Sequence, residues 1–373
     1  MLKRMNNKTA VRFISQRKTD FFKTLRNRVD DYFKKNNISP FATSSVIFKS
    51  VIMISIYLLP FILLLLFQPG IWISGGLWIL MGIGMAGIGM AVMHDANHGA
   101  YSRNENVNKW MGLTVNLCGA SAFNWKIQHN IMHHTFTNIS GYDEDIEDKL
   151  ILKFNPHTRL KWYHRFQWPL SFLLYGILTL YWVTIKDFVQ FRKYIYNGVN
   201  KNSRKQNALV LTKIIILKII YFSVILLVPV YAGIPFIAVL AGFLLMHFVS
   251  GIILSTIFQL AHTVEGTSHP LPNSEGIIEN DWAIHQLNTT TNFCRGNKFL
   301  SWYLGGLNHQ VEHHLFFRIS HVHYPALSVI VKNTAEEYNI PYLENKTFLQ
   351  ALSSHVRVLR KMGRLPGMNE LMD

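Results

Sequence analysis

The chain is poor in charge and in cysteine. Only 16% of its 373 residues are charged, whereas 49% are hydrophobic, a balance that is typical of a membrane protein and unusual for a soluble domain. The two cysteines, Cys118 and Cys294, belong to no CxxC pair, which argues against a disulfide framework, a zinc ribbon or a thioredoxin motif. Residues 1–45 are polar and basic, so we expect no cleavable signal peptide.

Acidic residues are also scarce. Lys and Arg number 37 against 21 acidic residues, a formal charge of +16, and such an excess suits nucleic acid or an anionic membrane surface. The long apolar segments favour the membrane, and no nucleic-acid partner is expected. The arm over residues 1–45 is predicted to be cytoplasmic and too short to fold alone, and its interleaved aromatic residues suggest an amphipathic segment on the membrane surface.

Four apolar segments are long enough to cross a bilayer, for which about 20 residues suffice. They cover approximately residues 46–67, 71–93, 214–231 and 234–258. Short uncharged turns join the first pair and the second pair, which predicts two helical hairpins. Lys and Arg lie outside these turns, eleven of them before Val46, so the positive-inside rule places the arm, the middle region and the C-terminal region in the cytoplasm.

Two further apolar stretches are ambiguous. Trp110–Phe123 is too short to cross, and Pro169–Ile185 is borderline at 17 residues. If the second crossed alone, the membrane would separate the later histidines from the earlier ones. Both stretches are therefore interpreted as interfacial or re-entrant helices.

Histidine is concentrated in three places on the predicted cytoplasmic side. The motifs are HDANH from residue 94, HNIMHH from residue 129 and HQVEHH from residue 309. Residues i and i+4 of a helix share a face, so His94 and His98 are expected to point at one site, as are His129 and His133, with His134 beside them. Imidazole is a good ligand for iron, zinc, copper and nickel.

The candidate ligands are too many for one ion. They are His94, His98, His129, His133, His134, His262, His313 and His314. Zinc sites usually close with four ligands, so eight imidazoles favour two ions. The Glu-x-x-His pairs of carboxylate di-iron bundles are absent, and the alternative is a set of hydrogen-bonding or pH-responsive histidines at a membrane surface.

The order of these motifs resembles the membrane-bound fatty-acid desaturases. HxxxH after a span, HxxxHH, and QxxHH after the last pair of spans match the histidine boxes of that family, and GGLNHQVEHHLF resembles the third box of its front-end branch. The resemblance covers the chain from about Val46 onward and supports His262 as an isolated ligand. It implies two non-haem iron ions that use O2 and two electrons to leave a cis double bond in an acyl chain.

This chemistry has an independent rationale. An unactivated methylene has no acidic proton and no leaving group, so a strongly oxidising metal centre is needed. The substrate is expected to be a fatty-acyl CoA or a lipid-linked acyl chain, with its position in the site selecting the carbon. The alternatives are a hydroxylase of the same superfamily, in which oxygen is inserted, and a histidine-rich metal transporter.

Several polar residues are candidates for supporting roles. Gln310 replaces the first histidine found in many desaturases and is predicted to ligate iron or hold a water, whereas its rival His309 points about 100° away on a helix. The candidates for orienting the ligating imidazoles or shaping the substrate site are Asp95, Glu312, Asn138, Asp145 and His285. Solvated charges and a packed histidine are the alternatives for these five. His247 lies within a span, roughly 22 Å along the helix from His262, and is assigned a packing role.

The predicted fold is an all-α integral membrane protein. Four transmembrane helices form two hairpins, and a cytoplasmic helical cap, residues 94–213 and 259–373, holds the metal centre within a membrane domain over residues 46–373. The chain has no HPGG haem motif, so a separate ferredoxin, cytochrome b5 or similar donor with its reductase is expected, and the basic arm is an alternative docking site for it. A bacterial cell membrane is favoured over the endoplasmic reticulum.

Overall fold

A computed structural model describes residues 11–15, 19–147 and 151–366. The residues outside these ranges are 1–10 and 16–18 of the basic arm, and 148–150 and 367–373 of the predicted cap. Residue 148 ends the acidic run over residues 143–148, which follows the second histidine motif. The described chain is mostly helical and has little strand, in agreement with the all-α prediction.

The first half contains nine α-helices with π-helical or 3-10 turns between some of them. The helices are α1 (Phe21–Asn36), α2 (Ser44–Phe67), α3 (Ile71–Gly87), α4 (Met93–Asn97), α5 (Glu105–Gly112), α6 (Ala122–Lys126), α7 (His134–Phe136), α8 (Gln167–Tyr181) and α9 (Asp187–Tyr196). The turns are Ile88–Val92, Leu113–Cys118, Ile127–His133, Trp162–Phe166 and Trp182–Lys186. Several of these turns continue one helix into the next.

The second half contains eight α-helices. They are α10 (Arg204–Phe222), α11 (Val228–Tyr231), α12 (Phe236–His262), α13 (Trp282–Thr289), α14 (Lys298–Tyr303), α15 (Gln310–Leu315), α16 (Tyr324–Glu337) and α17 (Phe348–Met362). A π-helical turn, Ser223–Leu227, joins α10 to α11, and a 3-10 turn, His321–His323, precedes α16. Two parallel pairs of two-residue strands complete the described fold: β1 (Arg12–Phe13) with β2 (Ile277–Ile278), and β3 (Asn292–Phe293) with β4 (Glu344–Asn345).

Within the described ranges, five helical stretches are long and apolar enough to cross a membrane. They are Ser44–Phe67, Ile71–Asn97, Trp162–Tyr196, Arg204–Tyr231 and Phe236–His262. Four of them correspond to the predicted spans, and each of these four is longer than its prediction. The fifth contains the stretch that was interpreted as interfacial, so length and composition alone do not confirm the count of four.

Glycines let α3 pack closely between α2 and α12. A Cβ atom at Gly84 would lie 2.6 Å from the backbone nitrogen of Tyr57 in α2, and one at Gly82 would lie 2.6 Å from the carbonyl oxygen of Met246 in α12. Small residues at such positions allow backbones to touch, which is a common way of packing helices in membranes. Because α3 and α12 run side by side, their C-terminal ends bring two histidine-bearing segments to the same level.

The stretch Trp162–Tyr196 crosses α12 at its middle and contacts the predicted cap at both ends. A Cβ atom at Gly251 of α12 would lie 2.5 Å from the carbonyl oxygen of Tyr175. At one end, the Gln167 side chain accepts a hydrogen bond from the backbone of Lys153 at 2.8 Å. At the other end, the Tyr194 hydroxyl donates to Glu144 at 2.8 Å.

The described part of the basic arm is packed into the cap. Phe21, Leu25 and Val29 of α1 are buried against a core that includes Leu327 and Val331 of α16. The apolar face that was assigned to a membrane surface is therefore covered by protein. The amphipathic pattern was detected correctly, but a sequence cannot say which apolar surface will cover it.

Candidate metal centre

The histidines of the three motifs converge at the ends of α3 and α12. His94 and His98 follow the π-helical turn Ile88–Val92, and His262 is the last residue of α12. The third motif forms the short helix α15, which carries His313 and His314. Residues separated by more than two hundred positions in the sequence thus line one buried volume.

One group of histidines contains residues from all three motifs. The candidate ligand nitrogens of His94, His98, His129 and His313 all lie within 4.8 Å of one another, and all four residues are buried. The Nε2 atoms of His94 and His129 are 3.0 Å apart. This spacing leaves the lone pairs of two imidazoles facing the same small volume, as around a shared ion.

A second group lies beside the first. It contains His133, His262 and His314, whose ligand nitrogens also fall within 4.8 Å of one another. The amide nitrogen of Gln310 is 3.0 Å from Nε2 of His262 and 3.3 Å from Nε2 of His314. His309 instead points toward Glu312, with 3.8 Å between Nδ1 and the carboxylate, so of these two neighbours Gln310 faces the histidines.

The second motif divides between the two groups, contrary to the expectation that His129 and His133 point at one site. The segment Ile127–His133 is π-helical, and its wider turn means that a spacing of four residues falls short of one revolution. His134 lies between the groups, with its ring centroid 4.6 Å from that of His313 and 4.5 Å from that of His314.

Burial keeps these imidazoles neutral, which is the form that binds metal. Burial and then the neighbouring histidines lower the pKa of His98, His134, His313 and His314 well below the usual range. Among the described residues, both ring nitrogens of His98 and the Nε2 atom of His313 have no hydrogen-bond partner. Buried polar atoms are rarely left without partners, so this donor set fits metal ions.

The outward-facing nitrogens of four histidines are held by hydrogen bonds. His133 Nδ1 lies 3.0 Å from a carboxylate oxygen of Asp143, and His313 Nδ1 lies 3.1 Å from the hydroxyl of Tyr324. His314 Nδ1 lies 2.8 Å from the Gln286 carboxamide oxygen. His262 Nδ1 is 3.3 Å from the carbonyl oxygen of Thr289. Such partners select the tautomer that turns the other nitrogen toward a metal.

Asp95 differs from its predicted role. Its carboxylate accepts hydrogen bonds from the Ser320 hydroxyl at 2.8 Å and from the ring of His321 at 2.8 Å. Asp95 is one residue from His94, so on the helix its side chain points about 100° away from that imidazole and meets the chain after α15 instead.

Glu312 and Asn138 hold the backbone around the histidines. Glu312 accepts hydrogen bonds from Asn292 at 2.8 Å and from the Tyr342 hydroxyl at 2.9 Å, and burial raises its pKa to about 7. Asn138, with a φ of 57°, donates from its side chain to the carbonyl oxygen of His262 at 3.1 Å. Both residues therefore position ligand-bearing segments without touching the imidazoles.

His285 and Asp145 lie at the edges of the site. The ring of His285 donates to the carbonyl oxygen of Thr137 at 2.8 Å, and burial lowers its pKa to about 4. Within the acidic run, Asp145 is the more distant carboxylate, 4.0 Å from His133 Nδ1. Asp143 makes the closer contact, at 3.0 Å.

Sequence reasoning missed three residues that contact the histidines. Gln286, Tyr324 and Thr289 belong to no histidine motif, and each reaches its partner only through the folding of the cap. A weak signal existed for Gln286, because it directly follows the candidate His285 in the sequence.

An apolar cavity of about 200 Å³ leads to the histidines. Its walls come from the ends of α3 and α12 and from the stretch Trp162–Tyr196. The lining includes Met90, Leu178, Leu254, Ile257 and Phe258, with His94, His129 and Gln310 at the inner side. A hydrophobic cavity beside a buried polar cluster is the usual form of a small-molecule site.

The fold and site define a helical protein with apolar helices long enough to span a membrane and a buried histidine site suited to metal. The family model for fatty acid desaturase matches residues 70–346, and the chain belongs to the fatty acid desaturase family. It is a fatty-acyl desaturase and therefore an oxidoreductase, as the resemblance of its histidine motifs implied.

Related desaturases are similar in sequence to this protein over nearly the whole chain. The sn-1 linoleoyl-lipid 6-desaturase of Synechocystis sp. is 34% identical over 95% of this chain and 99% of its own. The enzyme with the same description from Arthrospira platensis is 31% identical over 93% of each chain. An acyl-lipid (8-3)-desaturase of Physcomitrium patens is 32% identical over 95% of this chain and 74% of its own.

Proposed function

We propose that this protein is a di-iron desaturase that introduces a cis double bond near the carboxyl end of a lipid-linked acyl chain. The observation that supports this function best is the meeting of two buried histidine groups with an apolar cavity. In the balanced reaction, the acyl chain loses two hydrogens with two electrons. A donor supplies two more electrons, and with two protons O2 becomes two waters.

Two iron ions are proposed to occupy the two histidine groups. His94, His98, His129 and His313 would hold one ion, and the other would be held by His133, His262 and His314 together with Gln310; His134 lies within reach of both. When bound, the ions supply the oxidising power that an unactivated methylene requires. Imidazole nitrogen is a normal ligand for iron.

The residues around the ligands have separate tasks. Asp143, Gln286, Tyr324 and the Thr289 carbonyl orient the ring nitrogens. The burial of the site excludes bulk water, which protects a strongly oxidising centre from side reactions. The apolar lining of the cavity aligns an acyl chain past His94 and His129, so position selects the carbon.

The proposed arrangement in the membrane has four spans, with Trp162–Tyr196 lying along the cytoplasmic interface. The support is that both ends of this helix contact the cap, through Lys153 and through Glu144. A full crossing would also separate His94 from His262 by the bilayer, whereas their groups adjoin. The catalytic face is then cytoplasmic by the positive-inside rule.

The substrate class and setting are inferred from relatives. The two cyanobacterial relatives act on linoleoyl lipid and match this chain along almost their full length. We infer an acyl lipid over an acyl-CoA, a bacterial cell membrane over the endoplasmic reticulum, and a separate ferredoxin or cytochrome b5 type donor with its reductase. Front-end regioselectivity agrees with the names of these relatives.

The test is product analysis combined with metal analysis. Expression in a host with defined lipids should yield a fatty acid lighter by two hydrogens; a product heavier by one oxygen would assign a hydroxylase instead. The purified protein should hold two irons per chain. His98→Ala and His262→Ala should each lose iron and activity, whereas His269→Ala, outside both groups, should retain them. Ion flux without an oxidised lipid would indicate a transporter.

A further inference from the structure

The cavity has a polar end as well as an apolar one. Its lining includes the polar residues Gln128, Asp145 and Lys186 as well as aliphatic side chains, and a carboxylate oxygen of Asp145 lies 4.0 Å from Nδ1 of His133. Gln128 precedes His129 in the chain, so the Cα atoms of these two residues are about 3.8 Å apart. The polar part of the lining therefore adjoins the histidine groups.

Lys186 lines this cavity and contacts an aromatic ring of its own helical turn. It is the last residue of the π-helical turn Trp182–Lys186, and its ammonium lies 5.0 Å from the centroid of the Trp182 ring, which also lines the cavity. A cation over an aromatic face is stabilised electrostatically. Lys186 and His129 line the same cavity, so a group bound at the ammonium shares that cavity with the histidine.

Asp145 and Lys186, which both line the cavity, carry opposite charges, so together they favour a neutral hydrogen-bond acceptor over an anion. Gln128 donates to the carboxylate of Asp145, and the carboxamide oxygen of Gln128 accepts from Gln190 at 2.7 Å. The carboxylate of Asp145 would repel a phosphate group in this part of the cavity. An ester or thioester carbonyl oxygen carries no charge and can accept a hydrogen bond from an ammonium.

We propose that Lys186 binds the carbonyl oxygen at the carboxyl end of the acyl chain and thereby determines which bond is oxidised. This proposal rests on the proposed function and adds a residue that fixes the position of the substrate in the site. With the carbonyl held at Lys186, the carbons nearest the carboxyl end would lie nearest to the histidines that line the same cavity. The rest of the acyl chain then occupies the apolar part, which accounts for a double bond near the carboxyl end.

The test compares Lys186→Met, Lys186→Arg and a matched control, Arg192→Met, which removes an exposed cation from the same helix. Each variant receives linoleoyl-phosphatidylcholine in vesicles or, separately, linoleoyl-CoA. The position of the new double bond is located by mass spectrometry, and KM and kcat are measured. Iron content and thermal stability report on folding.

For Lys186→Met we expect a KM increase of about tenfold to hundredfold, the loss expected for a hydrogen bond to a charged group, and a mixture of double-bond positions. Lys186→Arg should largely restore a single position, and Arg192→Met should match the unmodified protein. The substrate for which the unmodified protein has the lower KM identifies whether the natural acyl group is an ester or a thioester.

A Lys186→Met protein with unchanged KM and a single unchanged product would overturn this proposal while leaving the desaturase function intact. An unmodified protein that forms no double bond with either substrate would overturn the proposed function instead. If Lys186→Met fails to bind iron, Lys186→Gln keeps a polar group at that position. Native mass spectrometry of retained linoleoyl-phosphatidylcholine then measures binding without turnover.

Discussion

Asp143 and His133 form a fully buried pair, with 3.0 Å between the carboxylate oxygen and Nδ1. The same carboxylate oxygen accepts a hydrogen bond from the backbone nitrogen of Asn138, also at 3.0 Å. Asp143 therefore connects the second histidine motif to the turn that follows it. A proton on Nδ1 of His133 leaves its Nε2 lone pair for the second histidine group.

Asp143→Asn tests this connection. The amide keeps the size of the side chain but removes the charge that favours an Nδ1 proton, so metal affinity or activity should fall about 10- to 100-fold. Iron per chain after dialysis against a chelator is the measurement. Glu147→Gln, in the same acidic run but more exposed, is the control, and equal iron retention in both variants would contradict the assigned role.

Gln310→Leu should weaken retention of iron in the second histidine group. Leu keeps an approximately similar volume but removes the carboxamide that faces His262 and His314. We expect chelator treatment to remove about one iron more readily than from the unmodified protein. His309→Ala is the matched control, because His309 points away from the group; if His309→Ala lost iron and Gln310→Leu did not, the assignment of these neighbours would be reversed.

Because His355 is buried in its neutral form, the free energy of unfolding should decrease in mild acid. Its ring lies 2.7 Å from the Thr263 carbonyl oxygen and 2.7 Å from the Tyr175 hydroxyl, and burial lowers its pKa from 6.5 to about 4. The unfolded chain binds a proton that the folded chain does not. Neutral His355 therefore makes its full contribution to the free energy of unfolding above pH 6.5. This contribution, up to about 3 kcal/mol, is lost as the pH falls toward 4.

The measurement is the free energy of unfolding, or the Tm, of the iron-loaded protein between pH 7 and pH 4. Other buried histidines titrate in the same direction, so the informative quantity is the difference between the unmodified protein and His355→Gln. That variant should be less stable at pH 7 and should depend less on pH. Parallel pH profiles for the two proteins would show that His355 does not carry this effect.

Gly251→Ala should separate Trp162–Tyr196 from α12. The added Cβ atom would lie 2.5 Å from the carbonyl oxygen of Tyr175, and overpacking of this kind costs about 1–3 kcal/mol. Gly75→Ala, in α3, meets nothing within 4 Å and should be neutral or slightly stabilising. Thermal unfolding in detergent compares the two; equal Tm values would argue against a close crossing at Gly251.

Much of the architecture could be predicted because it depends on local patterns. Apolar runs of sufficient length marked the helices that pack around α3, and the histidine motifs marked candidate ligands that the fold brings together at helix ends. His262 was found although it stands alone, since it ends α12. His247 was also interpreted correctly as a packing residue, with its ring 2.9 Å from the Tyr221 hydroxyl.

The unpredicted features depend on contacts between distant segments or on departures from regular helix geometry. The π-helical turn that places His129 and His133 in different groups has no signature in a four-residue spacing. Tyr324 and Gln286 reach their histidines from separate parts of the cap. The partner of Asp95 is His321, more than two hundred residues away, and no periodicity could reveal that pairing.

The long helix with both ends on the cap has a consequence for the lipids themselves. A cavity bordered by this helix and facing one half of the bilayer would accept acyl chains from that half alone. New double bonds would then accumulate in a single leaflet, and the opposite leaflet would become more unsaturated only as fast as lipids move across the membrane.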